Sequence, residues 1–114
     1  MKWDGINRRR FLRTKFPYTV HIYSPTGEPI STYTEDISIG GIRVVIKNKL
    51  NIHENLVLKI YLSEIPLECK GAVVWIKEKT NLMLNEVFFN IGIEFRGISK
   101  EEKEKIESCL PPQK

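Results

Sequence analysis

Two clusters in this chain carry residue types suited to chemistry. The first is Arg8-Arg9-Arg10-Phe11-Leu12-Arg13, four arginines within six residues. A guanidinium is planar and always charged. It gives two parallel N–H bonds to a phosphate, or lies flat on an aromatic ring. Four packed so closely repel one another, and a partner with negative charge relieves that repulsion. On charge alone the run also reads as a solvated basic tail, or as a weak nucleic-acid or membrane patch. The second cluster is Asp36-Ile37-Ser38-Ile39-Gly40-Gly41. It offers an acceptor-only carboxylate and a hydroxyl that both donates and accepts. Its glycine pair implies a tight loop with unusual φ angles or a close backbone approach. Asp36 and Ser38 do not make a hydrolase, because the sequence supplies neither a candidate base nor a paired carboxylate.

The charge distribution sharpens the first cluster. The chain of 114 residues carries a formal net charge of +4. Residues 1–15 hold six basic groups and one acid, a net of +5. The remaining 99 residues hold 12 basic and 13 acidic groups, a nearly neutral body. That body lacks the interleaved basic and aromatic strands of a single-strand nucleic-acid binder, so specific nucleic-acid binding is not expected. The length fits one domain with a modest core. No apolar run is long enough to span a bilayer, and residues 1–5 do not read as a secretory signal, so no membrane insertion is expected. Cys69 and Cys109 stand far apart with no CxxC. This excludes a disulfide scaffold and a zinc ribbon, and fits a reducing, cytoplasmic setting.

The elements that must position the clusters are mostly strands. Tyr18 to Tyr23 and Ile30 to Glu35 are rich in β-branched and aromatic residues, and Ser24-Pro25-Thr26-Gly27-Glu28-Pro29 turns one into the other. The Asp36–Gly41 segment interrupts the strand pattern. Ile42 to Ile46, Leu56 to Leu62, Leu67 to Lys77 and Phe88 to Phe95 give four more strands. Gly71 marks an expected bulge or bend in the fifth, and Glu78 to Glu86 reads as a polar connection. Ser99-Lys100-Glu101-Glu102 fits a capping box for a helix that Pro111-Pro112 would end. The expected fold is mainly β: a six-stranded antiparallel barrel with a C-terminal helix. The expected organisation is an arginine-rich flexible segment at 1–15, a barrel at 16–98, and a helix with tail at 99–114.

RxxxR at Arg9 and Arg13, followed one hairpin later by DxSxxG at Asp36, Ser38 and Gly41, resembles the PilZ domain family of bacterial cyclic di-GMP receptors. Ile91-Gly92-Ile93-Glu94-Phe95 is also similar to the family's last barrel strand. The resemblance runs from about Asn7 to Leu110. It implies a cyclic dinucleotide, single or as a stacked pair, held between Arg9 and Arg13 and the Asp36, Ser38 and Gly41 loop. Arg8 and Arg10 would add flanking contacts, and Gly40 a backbone one. Arginines suit the two phosphates or a guanine O6/N7 edge, and Asp36 suits guanine N–H donors or the orienting of an arginine. Such a receptor is not an enzyme, has no cofactor beyond its ligand, and signals in motility or biofilm pathways through a protein effector. Few apolar anchors (Ile6, Phe11, Leu12) hold the arginine segment, so it is expected to be mobile and to fold over the barrel on ligand binding. A second reading keeps the fold and loses the nucleotide, leaving a protein-interaction module; the intact motifs argue against it.

Other residues carry two readings each. Trp75, in Val73-Val74-Trp75, is a stacking platform or, more ordinarily, a core or barrel-surface aromatic. Arg43 follows the glycine pair and either reaches the site or is a solvated strand charge. His21 and His53 sit in no metal-binding pattern, so no metal site is expected. Cys69 and Cys109 read as packing residues.

Overall fold

The computed structural model of the chain describes residues 17–25 and 27–110. Six strands follow one another: β1 (Thr19–Tyr23), β2 (Ile30–Ser38), β3 (Gly41–Ile46), β4 (Asn55–Ile60), β5 (Leu67–Asn81) and β6 (Glu86–Arg96). They close into an antiparallel barrel in the order β1-β2-β3-β6-β5-β4, with β4 pairing back onto β1. The expected mainly-β barrel with one C-terminal helix, α1 (Lys100–Glu107), is therefore present.

Period-2 alternation builds it. Val20 and Ile22 on β1, Val44 on β3, Leu58 and Ile60 on β4, and Ile91 on β6 all point inward and are fully buried. Burying each such side chain is worth roughly 1.5–3 kcal/mol. Ile106 of α1 joins the same core, and Ile98 packs against it. The helix starts on the expected capping box: the Glu102 N–H donates to Ser99 Oγ at 3.1 Å, and the Ser99 N–H donates to Glu102 Oε1 at 2.8 Å. Beyond the helix, Cys109 hydrogen-bonds Tyr18, whose hydroxyl pKa is raised chiefly by burial and secondarily by that thiol. The segments 1–15 and Pro111-Pro112 lie outside the described residues.

Three local expectations need correction. Asp36, Ile37 and Ser38 do not interrupt the strand pattern; they belong to β2, and only Ile39-Gly40 forms the turn. The stretch from Glu78 to Glu86 is not a polar connection. β5 and β6 pair on to Asn81↔Glu86, leaving a turn at 82–85. That ribbon has no inward face to demand apolar residues, so its strand character does not show as alternation. The irregularity expected at Gly71 lies instead between Val73 and Trp75. Gly71 pairs regularly with Leu56 and Phe95 and faces the core, where a Cβ would come within 2.7 Å of Ile93 Cγ2.

Candidate functional site

Two β-bulges aim the site. On β2, Thr34 and Ile37 are both buried, and the register shifts between Thr34 and Asp36. Strict alternation from Thr34 would send Asp36 into the core and Ile37 outward. The extra residue reverses that, and Asp36 stands opposite Arg43 on the outer face. On β5, Val73 is fully buried, and the shift between Val73 and Trp75 pairs Trp75 with Gly92. The indole is thereby turned outward and is 41% exposed. Each bulge puts one polar or aromatic group onto a single patch of barrel wall.

That patch is a shallow cavity of about 270 Å³, lined by Asp36, Ser38, Gly40, Arg43, Val74 and Trp75 among others. Arg43 Nε donates to Asp36 Oδ2 at 2.9 Å, and Arg43 Nη1 donates to Asn90 Oδ1 at 3.1 Å. The guanidinium is thus held by two acceptors from two neighbouring strands. The Asp36 carboxylate is the more buried partner of this ion pair. Asp36 thus holds a guanidinium in place, that of Arg43.

Ser38 is fully buried and its Oγ accepts the Gly40 N–H at 3.2 Å, which closes the turn. The Gly40 carbonyl accepts from the Phe95 N–H at 3.0 Å, fastening the turn to β6. Gly41 shows the close approach expected of the glycine pair: a Cβ there would collide with the Ile93 carbonyl oxygen. The expected unusual φ is not found there; among the described residues the glycine at positive φ is Gly97. Gly92 has a second such role. A Cβ there would run into the Trp75 indole, so glycine at this position seats the ring flat against β6.

The structure therefore brings together Asp36, Ser38, Gly40, Gly41, Arg43 and Trp75. Arg8, Arg9, Arg10 and Arg13 lie outside the described residues. Sequence reasoning missed Asn90 and Gly92. Both depend on the β3–β6 and β5–β6 registers, Val45↔Asn90 and Trp75↔Gly92, which no local motif announces. A larger cleft of about 490 Å³ lies elsewhere on the wall, lined by Tyr23, Val57, Lys70 and Arg96, and among the described residues none of the Asp36–Gly41 motif lines it. Among the described residues, no group of three or more His, Cys, Asp or Glu could hold a metal ion.

The sequence model of the PilZ domain family matches residues 7–110. The chain belongs to the PilZ domain family. Solved structures agree in fold. The PilZ domain superposes on the Bacillus subtilis inhibitor of motility MotI/DgrA with a TM-score of 0.68 at 27% identity, covering 90% of this chain and 49% of that one. It matches the PilZ domain of Escherichia coli YcgR, solved with c-di-GMP, with a TM-score of 0.71 at 15% identity, covering 90% of this chain and 88% of that one. It matches K. pneumonia MrkH with a TM-score of 0.71 at 21% identity, covering 90% of this chain and 46% of that one. This PilZ domain thus spans about half the length of the MotI/DgrA and MrkH chains. No curated protein sequence matches it.

Proposed function

We propose that this PilZ domain is a non-enzymatic receptor for cyclic di-GMP. The observation that carries the reading is the shared outer patch: Asp36, Ser38 and Gly41 of DxSxxG border one cavity with Arg43 and Trp75. Family membership and the c-di-GMP bound to the YcgR domain support the same ligand. In this reading Arg9 and Arg13 grip phosphate oxygens or a guanine edge in bidentate fashion, with Arg8 and Arg10 beside them. Asp36 accepts guanine N–H bonds while holding Arg43, and Gly40 and Gly41 give backbone access. Arg43 faces the ligand with the donors that Asp36 and Asn90 leave unused. Trp75 offers its exposed ring to a purine.

Ligand binding orders residues 1–15 across the patch and alters the surface offered to a protein effector, which is the signal. Ordering costs roughly 1–2 kcal/mol per backbone residue, offset by charge-assisted bonds. Hydrogen exchange tests this step directly: residues 1–13 gain protection when c-di-GMP is added, and equal protection with and without it contradicts the mechanism. Asp36→Ala tests the site itself. It weakens c-di-GMP binding and raises tolerance for adenine analogues in a titration, on a barrel that still unfolds cooperatively. Unchanged affinity and selectivity in that variant contradict the assignment.

A further inference from the structure

The β5–β6 hairpin outruns the barrel. β4 pairs with β5 only as far as Ala72, and β3 pairs with β6 only as far as Phe89. The last pairs, Lys79↔Phe88, Thr80↔Val87 and Asn81↔Glu86, have no neighbouring strand among the described residues. At the end of this ribbon stand Leu82, Met83 and Leu84, which are 87%, 96% and 63% exposed. The turn that displays them is built rather than frayed. Asn81 Oδ1 accepts from the N–H groups of Met83 and Leu84 at 3.1 and 3.2 Å, and Asn85 takes the left-handed conformation at φ 54°. Three consecutive apolar side chains held out on a fastened turn mark an interaction site.

The shape and the charges select the occupant. The tip is convex, so it must enter something that receives it. A second copy pairing along the open edge of β5 in a register centred on any of residues 77–79 is disfavoured by symmetry. A two-fold axis perpendicular to the sheet brings residues of one face opposite each other. Centred on Glu78, it sets Glu78 against Glu78 and Lys77 against Lys79; centred on either lysine, it sets that lysine against itself. What suits an apolar tip with lysines behind it is the surface of an anionic bilayer. At about 3.3 Å per residue, Lys79 lies roughly 10 Å behind Leu82 along the strand. Interfacial elements bury apolar groups by about 5–10 Å, so Lys79 would sit among phosphates while the tip reaches the acyl boundary. Lys47, over the Phe88 ring and paired with Glu86, neutralises the acid nearest the tip.

We propose that the Leu82–Met83–Leu84 turn docks this protein on anionic lipid surfaces, peripherally and without spanning them. The test is co-sedimentation of the full chain, without nucleotide, with vesicles of phosphatidylglycerol and phosphatidylcholine or of phosphatidylcholine alone. The wild type partitions onto the anionic vesicles. The triple variant Leu82→Ser, Met83→Ser, Leu84→Ser loses about tenfold or more of that partitioning, the scale set by withdrawing apolar side chains from the acyl boundary. Lys77→Gln with Lys79→Gln weakens it and flattens its salt dependence. Because the five substituted side chains, Lys77, Lys79, Leu82, Met83 and Leu84, are all exposed, both variants stay folded. Absence of wild-type binding overturns the proposal. So does binding that survives the triple serine variant, which would assign it to the arginine segment. Tip-dependent self-association in sedimentation velocity without lipid also overturns it, in favour of a second copy.

Discussion

At the scale of single residues, the site depends on groups whose positions are set by their neighbours. Arg43 is fixed between Asp36 and Asn90. Asn90→Leu removes one acceptor while keeping the bulk, so we expect Arg43 to swing and c-di-GMP affinity to fall about tenfold, the scale of one charge-assisted bond, with the unfolding midpoint little changed. A titration checks it. Gly92→Ala puts a methyl group where the Trp75 indole lies. The expected outcome is a displaced ring, seen as a shift in tryptophan emission, and weaker ligand binding. Gly41→Ala is different in kind, because its methyl meets backbone at the Ile93 carbonyl. That collision cannot be relieved by a rotamer change, so a loss on the order of 3 kcal/mol in denaturant unfolding is expected. Arg9→Lys, which keeps the charge and loses the planar fork, should bind c-di-GMP poorly. If it binds as the wild type does, recognition there is not bidentate.

At the scale of elements, the bulges explain what the sequence reveals and what it hides. Strands with one buried face were legible: Val20 and Ile22 alternate with polar residues, and Leu58 and Ile60 alternate around Lys59. The capping box at Ser99 and Glu102 was legible because its chemistry is local. The direction of Asp36 and Trp75 was not, since an inserted residue reverses the alternation on which such a reading rests. Asn90 and Gly92 were hidden because their partners are 47 and 17 residues away in sequence, across strand registers. The outer β5–β6 ribbon was hidden because it buries neither face. Ser99→Ala should cost α1 about 1 kcal/mol, read as a lower thermal midpoint, with ligand affinity unchanged because the helix does not line the cavity.

At the scale of the whole molecule, the barrel is a rigid wall on which the site is displayed and from which one hairpin projects. Cys69 gives its core a titratable signature. Burial, with lesser contributions from the Glu102 and Glu68 carboxylates, pushes the Cys69 thiol from 9.0 up to about 12. Below 9 both folded and unfolded chains keep the proton, and no stability is lost. Between that value and about 12 only the unfolded chain releases it, so stability falls as pH rises through this window. Cys69→Ala should remove this part of the alkaline slope in denaturant melts, at the cost of a small cavity. An unchanged slope would mean that the thiol titrates normally in the fold.

The receptor reading itself is tested most directly by calorimetric titration of the intact chain with c-di-GMP, with GTP and cyclic di-AMP as controls. We predict saturable binding to c-di-GMP alone, with one or two molecules per chain, the second value indicating a stacked pair. No heat and no binding from a protein shown to be folded, or equal binding of all three nucleotides, would contradict it and leave a PilZ barrel that acts through protein contacts alone.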